Sequence, residues 1–262
     1  MTGNLDYTKY DADFILDTQA HVKNAECLIP IIDNLIHPKS VVDVGCGSGA
    51  WLSVFKNKYN CNILGIDGEY VNINNTLLSD NEFLPHNLEK KIDIIQINHD
   101  KFDLAISLEV AEHLSPSRAE GFVDDLTKLS DAILFSAAIP LQGGVNHINE
   151  RPITYWVDLF QKKGFVPINC IRPKYKLAYT EHEFKEHGDP GIAYANNAVL
   201  YINHEKLSEY DIVPSDYPDD DYSTIPAMQR YITIKLLASE YCLIPRTRLI
   251  GKIAKIFNHL FR

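Results

Sequence analysis

Val41-Val42-Asp43-Val44-Gly45-Cys46-Gly47-Ser48-Gly49 is the stretch on which the reading of this chain turns. The run over 40–44 is short, apolar and β-branched, follows Pro38, and reads as a buried strand. Glycines at 45, 47 and 49 break it, and Ala50-Trp51-Leu52-Ser53-Val54-Phe55 resumes helical spacing. A strand that runs through closely spaced glycines into a helix leaves backbone N–H groups uncovered at the turn. Without Cβ atoms there, a ligand can press against the main chain. Eighteen residues past Gly49, Asp67 and Gly68 end a second strand over 61–66. A carboxylate at that point is placed to accept both hydroxyls of a ribose.

Outward from this core the same alternation continues. Residues 20–36 place apolar side chains at helical intervals. Further strands are expected over 82–84, 102–107 and 132–137, with a helix over 116–129 whose first turn holds Pro116. A helix over 153–163 stops at Gly164, and two last strands are expected over 165–171 and 194–202. Strands alternating with helices imply a parallel sheet covered on both faces. The last two strands, with only a loop between them, imply one antiparallel strand at the edge.

Composition excludes several classes. The chain has 262 residues, 45% hydrophobic and 23% charged, which is ordinary for a globular protein. With 25 Lys+Arg against 35 Asp+Glu the formal charge is −10, so no nucleic-acid partner is expected. The five cysteines, Cys27, Cys46, Cys61, Cys170 and Cys242, show no paired spacing, which argues against a disulfide framework and points to a reducing cytoplasm. The polar, acidic first residues do not form a signal peptide, and no apolar run is long enough for a transmembrane segment.

Two ligands fit the glycine loop and its acid, a dinucleotide and S-adenosylmethionine. Gly45, Gly47 and Ala50 satisfy the degenerate dinucleotide pattern. Asp43 separates the two, since an acid two residues before the first glycine repels a pyrophosphate but suits a cationic amino acid. VVDVGCGSG and ILGIDG resemble the first and second motifs of the class I S-adenosylmethionine-dependent methyltransferases. That resemblance covers roughly 38–203 and implies an α/β fold, Rossmann-like, with a seven-stranded mostly parallel sheet, helices on both faces and an antiparallel edge strand. It also implies that Asp43, Gly45, Cys46, Gly47, Asp67, Gly68, Leu88 and Leu108 line the cofactor, with Asn87 at the adenine where the family carries Asp.

The fourth strand opens into Leu108-Glu109-Val110-Ala111-Glu112-His113, where Glu109, Glu112 and His113 form an ExxEH cluster. Two carboxylates and an imidazole suit a divalent metal (Mg, Mn or Zn). The string is similar to that of two methyltransferase subgroups with a metal there, the ubiquinone-biosynthesis type and the small-RNA 2′-O type. The latter adds a downstream His, which His147 would supply. The alternative is that the two acids tune the loop and His113 caps a helix.

Past the fifth strand, His147 is a natural general base, with His113 second; the alternative is a loop imidazole hydrogen-bonded to Asn149 or Glu150. FSAAIP, QGG, HxNE and Tyr155-Trp156 resemble a bacterial methyltransferase subgroup associated with surface-polysaccharide and small-metabolite pathways. Asn197 is a candidate for the acceptor pocket, and Arg118 and Arg151 for an anionic acceptor. Tyr7, Tyr10 and His21 belong to an expected N-terminal helical lid over 1–37, before a cofactor-binding domain over 38–204 and a C-terminal extension over 205–262. That extension has an acidic stretch over 209–222 and a basic tail over 244–262, which is expected to pack on the acidic stretch or on a second subunit of a homodimer. The expected function is O-methylation of a small or sugar-linked polar acceptor in capsule or other surface-polysaccharide biosynthesis. The alternatives are a metal-dependent RNA 2′-O-methyltransferase and an NAD-dependent oxidoreductase.

Overall fold

The structure is a computed structural model describing residues 10–97, 100–168, 171–181 and 191–212. The elements run α1 (Tyr10–Ile36), β1 (Ser40–Val44), α2 (Ala50–Tyr59), β2 (Asn62–Asp67), β3 (Phe83–Pro85), α3 (Ile94–Ile97) and β4 (Leu104–Leu108). There follow α4 (Ala119–Leu129), β5 (Ala132–Ser136), α5 (Ile153–Lys162), β6 (Phe165–Ile168), α6 (Ile171–Glu181), α7 (Gly191–Asn197) and β7 (Val199–Asn203).

The seven strands form one sheet in the order β3-β2-β1-β4-β5-β7-β6. β1, β2, β3, β4 and β5 are mutually parallel, whereas β7 runs antiparallel to both β5 and β6. The antiparallel pairing thus falls at the β6 edge, with the reversed strand one position in from it. The fold is the Rossmann-like α/β sheet that the sequence implies.

Alternation along the strands sorts side chains between two cores. Leu104 and Ile106 of β4, with Ala132 and Leu134 of β5, pack with α1, α2, α6 and α7 on one face. Ala105, Ile133 and Phe135 pack with α4 and α5 on the other. On that second face Phe160 stacks on Tyr201 at a centroid distance of 3.9 Å. Both faces are therefore covered, and only the strand ends remain open for a site. Asp103 fixes the far end of the sheet, its Oδ2 accepting from the N–H groups of Lys39 and Ser40, each at 2.8 Å.

The C-terminal third corrects three expectations. β6 ends at Ile168, and Ile171 opens α6 rather than closing a strand. Residues 194–197 belong to α7, so the last strand begins only at Val199. Two helices, not a bare loop, therefore separate the last two strands. α1 also starts ten residues earlier than its periodicity suggested. Tyr7, Cys170, Cys242, most of the acidic stretch and the basic tail lie outside the described residues. Cys27, Cys46 and Cys61 are all buried. No described helix is long and apolar enough to cross a membrane.

Candidate cofactor and acceptor site

The carboxyl ends of the parallel neighbours β1, β2, β4 and β5 lie at one end of the sheet. At β1, Gly45, Gly47 and Gly49 all have positive φ (88°, 51° and 73°), which L side chains rarely adopt. A Cβ on Gly45 would lie 2.3 Å from Val110 Cγ2, and one on Gly49 2.5 Å from Leu78 Cγ. The turn is thus roofed closely by residues just beyond β4 and β2. Cys46 contributes main chain only, its carbonyl accepting from Gly49 N at 2.8 Å while its thiol packs against Gly65.

Asp67 ties β2 to this turn. Its Oδ2 accepts from Gly47 N at 2.8 Å, and its Oδ1 from Gly68 N at 2.7 Å and the Tyr70 hydroxyl at 2.5 Å. Burial raises its pKa, and those hydrogen bonds oppose the rise. Asp43 is buried on β1, and burial, with the nearby Asp67, pushes its carboxyl well above the ordinary range. Its carboxyl makes no hydrogen bond among the described residues, which suits an acid that waits for a ligand cation. Asn87 lies exposed past β3, its Oδ1 accepting from Glu89 N at 3.0 Å, while Leu88 and Leu108 are buried.

Beyond β4 the ExxEH cluster divides in two. Glu112, His113 and His147 come together, with ligand atoms all within 4.8 Å of one another. Glu112 is fully buried, and neither carboxylate oxygen has a hydrogen-bond partner. His147 Nε2 lies 4.0 Å from Oε1. Burial and the charge of Glu109 hold the Glu112 carboxyl well above its usual pKa. His113, edge-on to His147 at a centroid distance of 4.8 Å, is pushed down to about 4, by burial first and by His147 second. Two imidazoles and an orphaned carboxylate form a donor set that fits a divalent metal such as zinc or manganese.

Glu109 is not part of that group. It adopts a left-handed backbone (φ 56°), and its carboxylate accepts from Gln142 Nε2 at 2.6 Å and Asn197 Nδ2 at 3.3 Å. Asn197 Nδ2 also donates to Gln142 Oε1 at 2.8 Å, leaving its buried Oδ1 without a partner. A non-glycine residue held in this region, directly after a sheet strand, marks local strain of the kind found at functional sites.

The loop after β5 is ordered by Glu150, one of the two residues, with Asn149, that the sequence offered as hydrogen-bond partners of His147. Its Oε1 accepts from Gly143 N at 2.7 Å and its Oε2 from Leu141 N at 3.0 Å. The remaining contact, 3.3 Å from Oε1 to His147 Nδ1, fixes the imidazole. The spacing of three between the two residues was the available signal. Arg118 corrects another expectation. It is buried, donates to the carbonyls of Leu88 and Lys90 and pairs with Asp125, so it does not reach an acceptor. Arg151 remains partly exposed, its guanidinium over the Tyr155 ring and its Nε bonded to Asn149 Oδ1. Trp156 is core. His21 on α1 accepts or donates at Nδ1 to the Tyr194 hydroxyl at 2.8 Å, so α1 is anchored to α7 beside the glycine loop.

The sheet order defines the class of fold, a Rossmann-like α/β sheet with an antiparallel strand near one edge. Residues 17–128 match the family model described as a methyltransferase domain. The fold is shared with a Haloferax volcanii protein solved in complex with a methyltransferase activator (13% identity, TM-score 0.50, covering 76% of this chain and 98% of that one). A methyltransferase from Archaeoglobus fulgidus has 14% identity and a TM-score of 0.49 over 73% of this chain and all of its own. Human N-acetylserotonin methyltransferase, solved with S-adenosylmethionine, has 15% identity and a TM-score of 0.47 over 74% of this chain, which spans only 57% of the human enzyme's length. A search of the curated proteins finds no match.

Proposed function

We propose that the protein transfers the methyl group of S-adenosylmethionine to an oxygen of a small polar acceptor, a hydroxyl or phosphate-type group on a surface-polysaccharide sugar or its precursor. The observation that carries the transfer chemistry is the Glu150–His147 pair beside the cofactor cleft. A carboxylate on Nδ1 keeps the proton there and leaves Nε2 as the base. The acceptor oxygen attacks the sulfonium methyl in line, the S–C bond breaks to give the neutral thioether, and the hydroxyl proton passes to His147 Nε2. Asp67 takes the ribose, the glycine turn lets the amino acid portion pack against main chain free of Cβ atoms, and Asp43 balances its cation. The acceptor class rests on the resemblance carried by FSAAIP, QGG and HxNE, and Arg151 supplies a cation for an anionic acceptor.

A second reading is favoured by the orphaned oxygens of Glu112. A divalent ion held by Glu112, His113 and His147 would polarise an acceptor hydroxyl directly. In that case His147 Nε2 is a ligand, and Glu150 still orients it.

Calorimetric titration with S-adenosylhomocysteine tests the cofactor assignment, and no heat from well-folded protein refutes it. Radiolabelled methyl transfer into nucleotide-sugar and oligosaccharide pools then tests the acceptor class. Incorporation into RNA instead of sugar would replace it. Loss of transfer in His147→Ala, with homocysteine-nucleoside binding intact, is the expected signature of the base.

A further inference from the structure

The ribose-binding acid is already engaged. A carboxylate offers about four lone-pair positions, two on each oxygen. Oδ1 of Asp67 uses both, for Gly68 N at 2.7 Å and the Tyr70 hydroxyl at 2.5 Å. Oδ2 uses one, for Gly47 N at 2.8 Å. A ribose diol that chelates the carboxylate needs one position on each oxygen, and Oδ1 has none left. The two N–H donors belong to the main chain at the strand end and the glycine turn, and cannot leave without opening both. Tyr70 can leave, because it is 49% exposed on a turn.

The contact is built, not incidental. The Tyr70 ring approaches Gly68 so closely that a Cβ at 68 would fall 2.1 Å from Cε1 and 2.4 Å from Cδ1. The turn closed by Val71 N on Gly68 O, at 3.0 Å, brings the ring back over the strand end. Glycine at 68 is therefore what lets the phenol reach the acid.

We propose that Tyr70 is a specificity-determining residue for the nucleoside: its hydroxyl occupies the seat of one ribose hydroxyl on Asp67 and is exchanged for that hydroxyl when cofactor binds. The exchange is near neutral for a ligand that brings a vicinal diol, since one O–H donor replaces another on the same oxygen. A ligand lacking one of the two hydroxyls either leaves Tyr70 in place and loses chelation, or displaces it and leaves Oδ1 short of a donor. A ligand without the hydroxyl for Oδ1 leaves Tyr70 there with that oxygen still satisfied, so Tyr70 discriminates less against such a deoxynucleoside than an unguarded carboxylate does. This inference rests on the S-adenosylmethionine reading of the site.

The test is calorimetry of the full-length protein and its Tyr70→Phe variant with S-adenosylhomocysteine and with its 2′-deoxy and 3′-deoxy analogues. Removing the competing hydroxyl should tighten S-adenosylhomocysteine by about three- to tenfold, the worth of one net hydrogen bond. The affinity ratio of S-adenosylhomocysteine to the deoxy analogue that leaves Tyr70 in place should grow by a similar factor, because that analogue gains nothing from the substitution. Unchanged or weaker binding of S-adenosylhomocysteine by Tyr70→Phe, with the variant folded by circular dichroism, overturns the inference. No binding by the unmodified protein refutes the cofactor reading itself, so the two failures are distinguishable.

Discussion

His147 Nδ1 lies 3.3 Å from Glu150 Oε1, and the same carboxylate closes the loop on Leu141 N and Gly143 N. One acid thus shapes the acceptor loop and aims its imidazole. Burial alone would raise its pKa, yet the bonds from His147 and the two amides leave it lowered. Glu150→Ala should therefore cost about 1–3 kcal/mol of stability, because two amides lose a charged acceptor. Hydrogen exchange at Leu141 and Gly143 should rise with it. Methyl transfer should fall in kcat while S-adenosylhomocysteine affinity holds.

Glu112 is buried with no hydrogen-bond partner for either oxygen. Its folded pKa is raised by burial and by Glu109, so the unfolded chain gives up the proton near 4.5 while the folded one keeps it. Stability present below that pH is lost as pH rises. Glu112→Gln should remove this loss, so the thermal midpoint of the variant gains on the parent progressively from about pH 5 to pH 8. The same substitution should abolish any shift of the midpoint by zinc or manganese. A variant less stable than the parent at pH 8 contradicts the burial argument.

His113 gives the opposite slope. Its pKa is about 4 in the folded chain against an ordinary 6.5, because burial and His147 disfavour the imidazolium. A depressed imidazole supplies stability above 6.5 that disappears as pH falls through that window toward 4. His113→Asn should flatten this part of the stability profile, measured as the parent-minus-variant midpoint between pH 7 and pH 4.

Gly45 combines positive φ with a close roof, 2.3 Å from a would-be Cβ to Val110 Cγ2. Gly45→Ala should destabilise by about 2–4 kcal/mol, from backbone strain and overpacking together. Adding Val110→Ala should recover the steric part but not the strain. Additive losses in a double-mutant cycle would show that the two positions do not touch.

Some of this was legible in the sequence because one local pattern carried it. Val41, Val42 and Val44 run into three glycines, and Asp67 ends the next strand, so β1, its turn, α2 and β2 followed directly. The C-terminal third was not, because its pattern is ambiguous. Ala193, Tyr194, Ala195, Asn196 and Asn197 are all buried on a seven-residue helix. A short stretch buried on every side lacks the polar face that reveals helical period. Ile171 likewise extends an apolar run that really breaks after Ile168. In the site, residue types were readable but directions were not. Spacing placed Glu109 beside Glu112 and His113, yet the left-handed backbone at Glu109 turns its carboxylate to Gln142 and Asn197. Tyr70 gave no signal, since its role depends on the absence of a Cβ two residues earlier.

The strand order has a consequence for biosynthesis. β6 is hydrogen-bonded only to β7, and β7 is what joins it to β5. As the chain leaves the ribosome, β6 is made before any partner for it exists. The outer edge of the sheet therefore stays open until Asn203 emerges, when β7 slots between two strands already synthesised. Truncation between β5 and β7 leaves β5 as an unprotected edge, a template for pairing with another nascent chain.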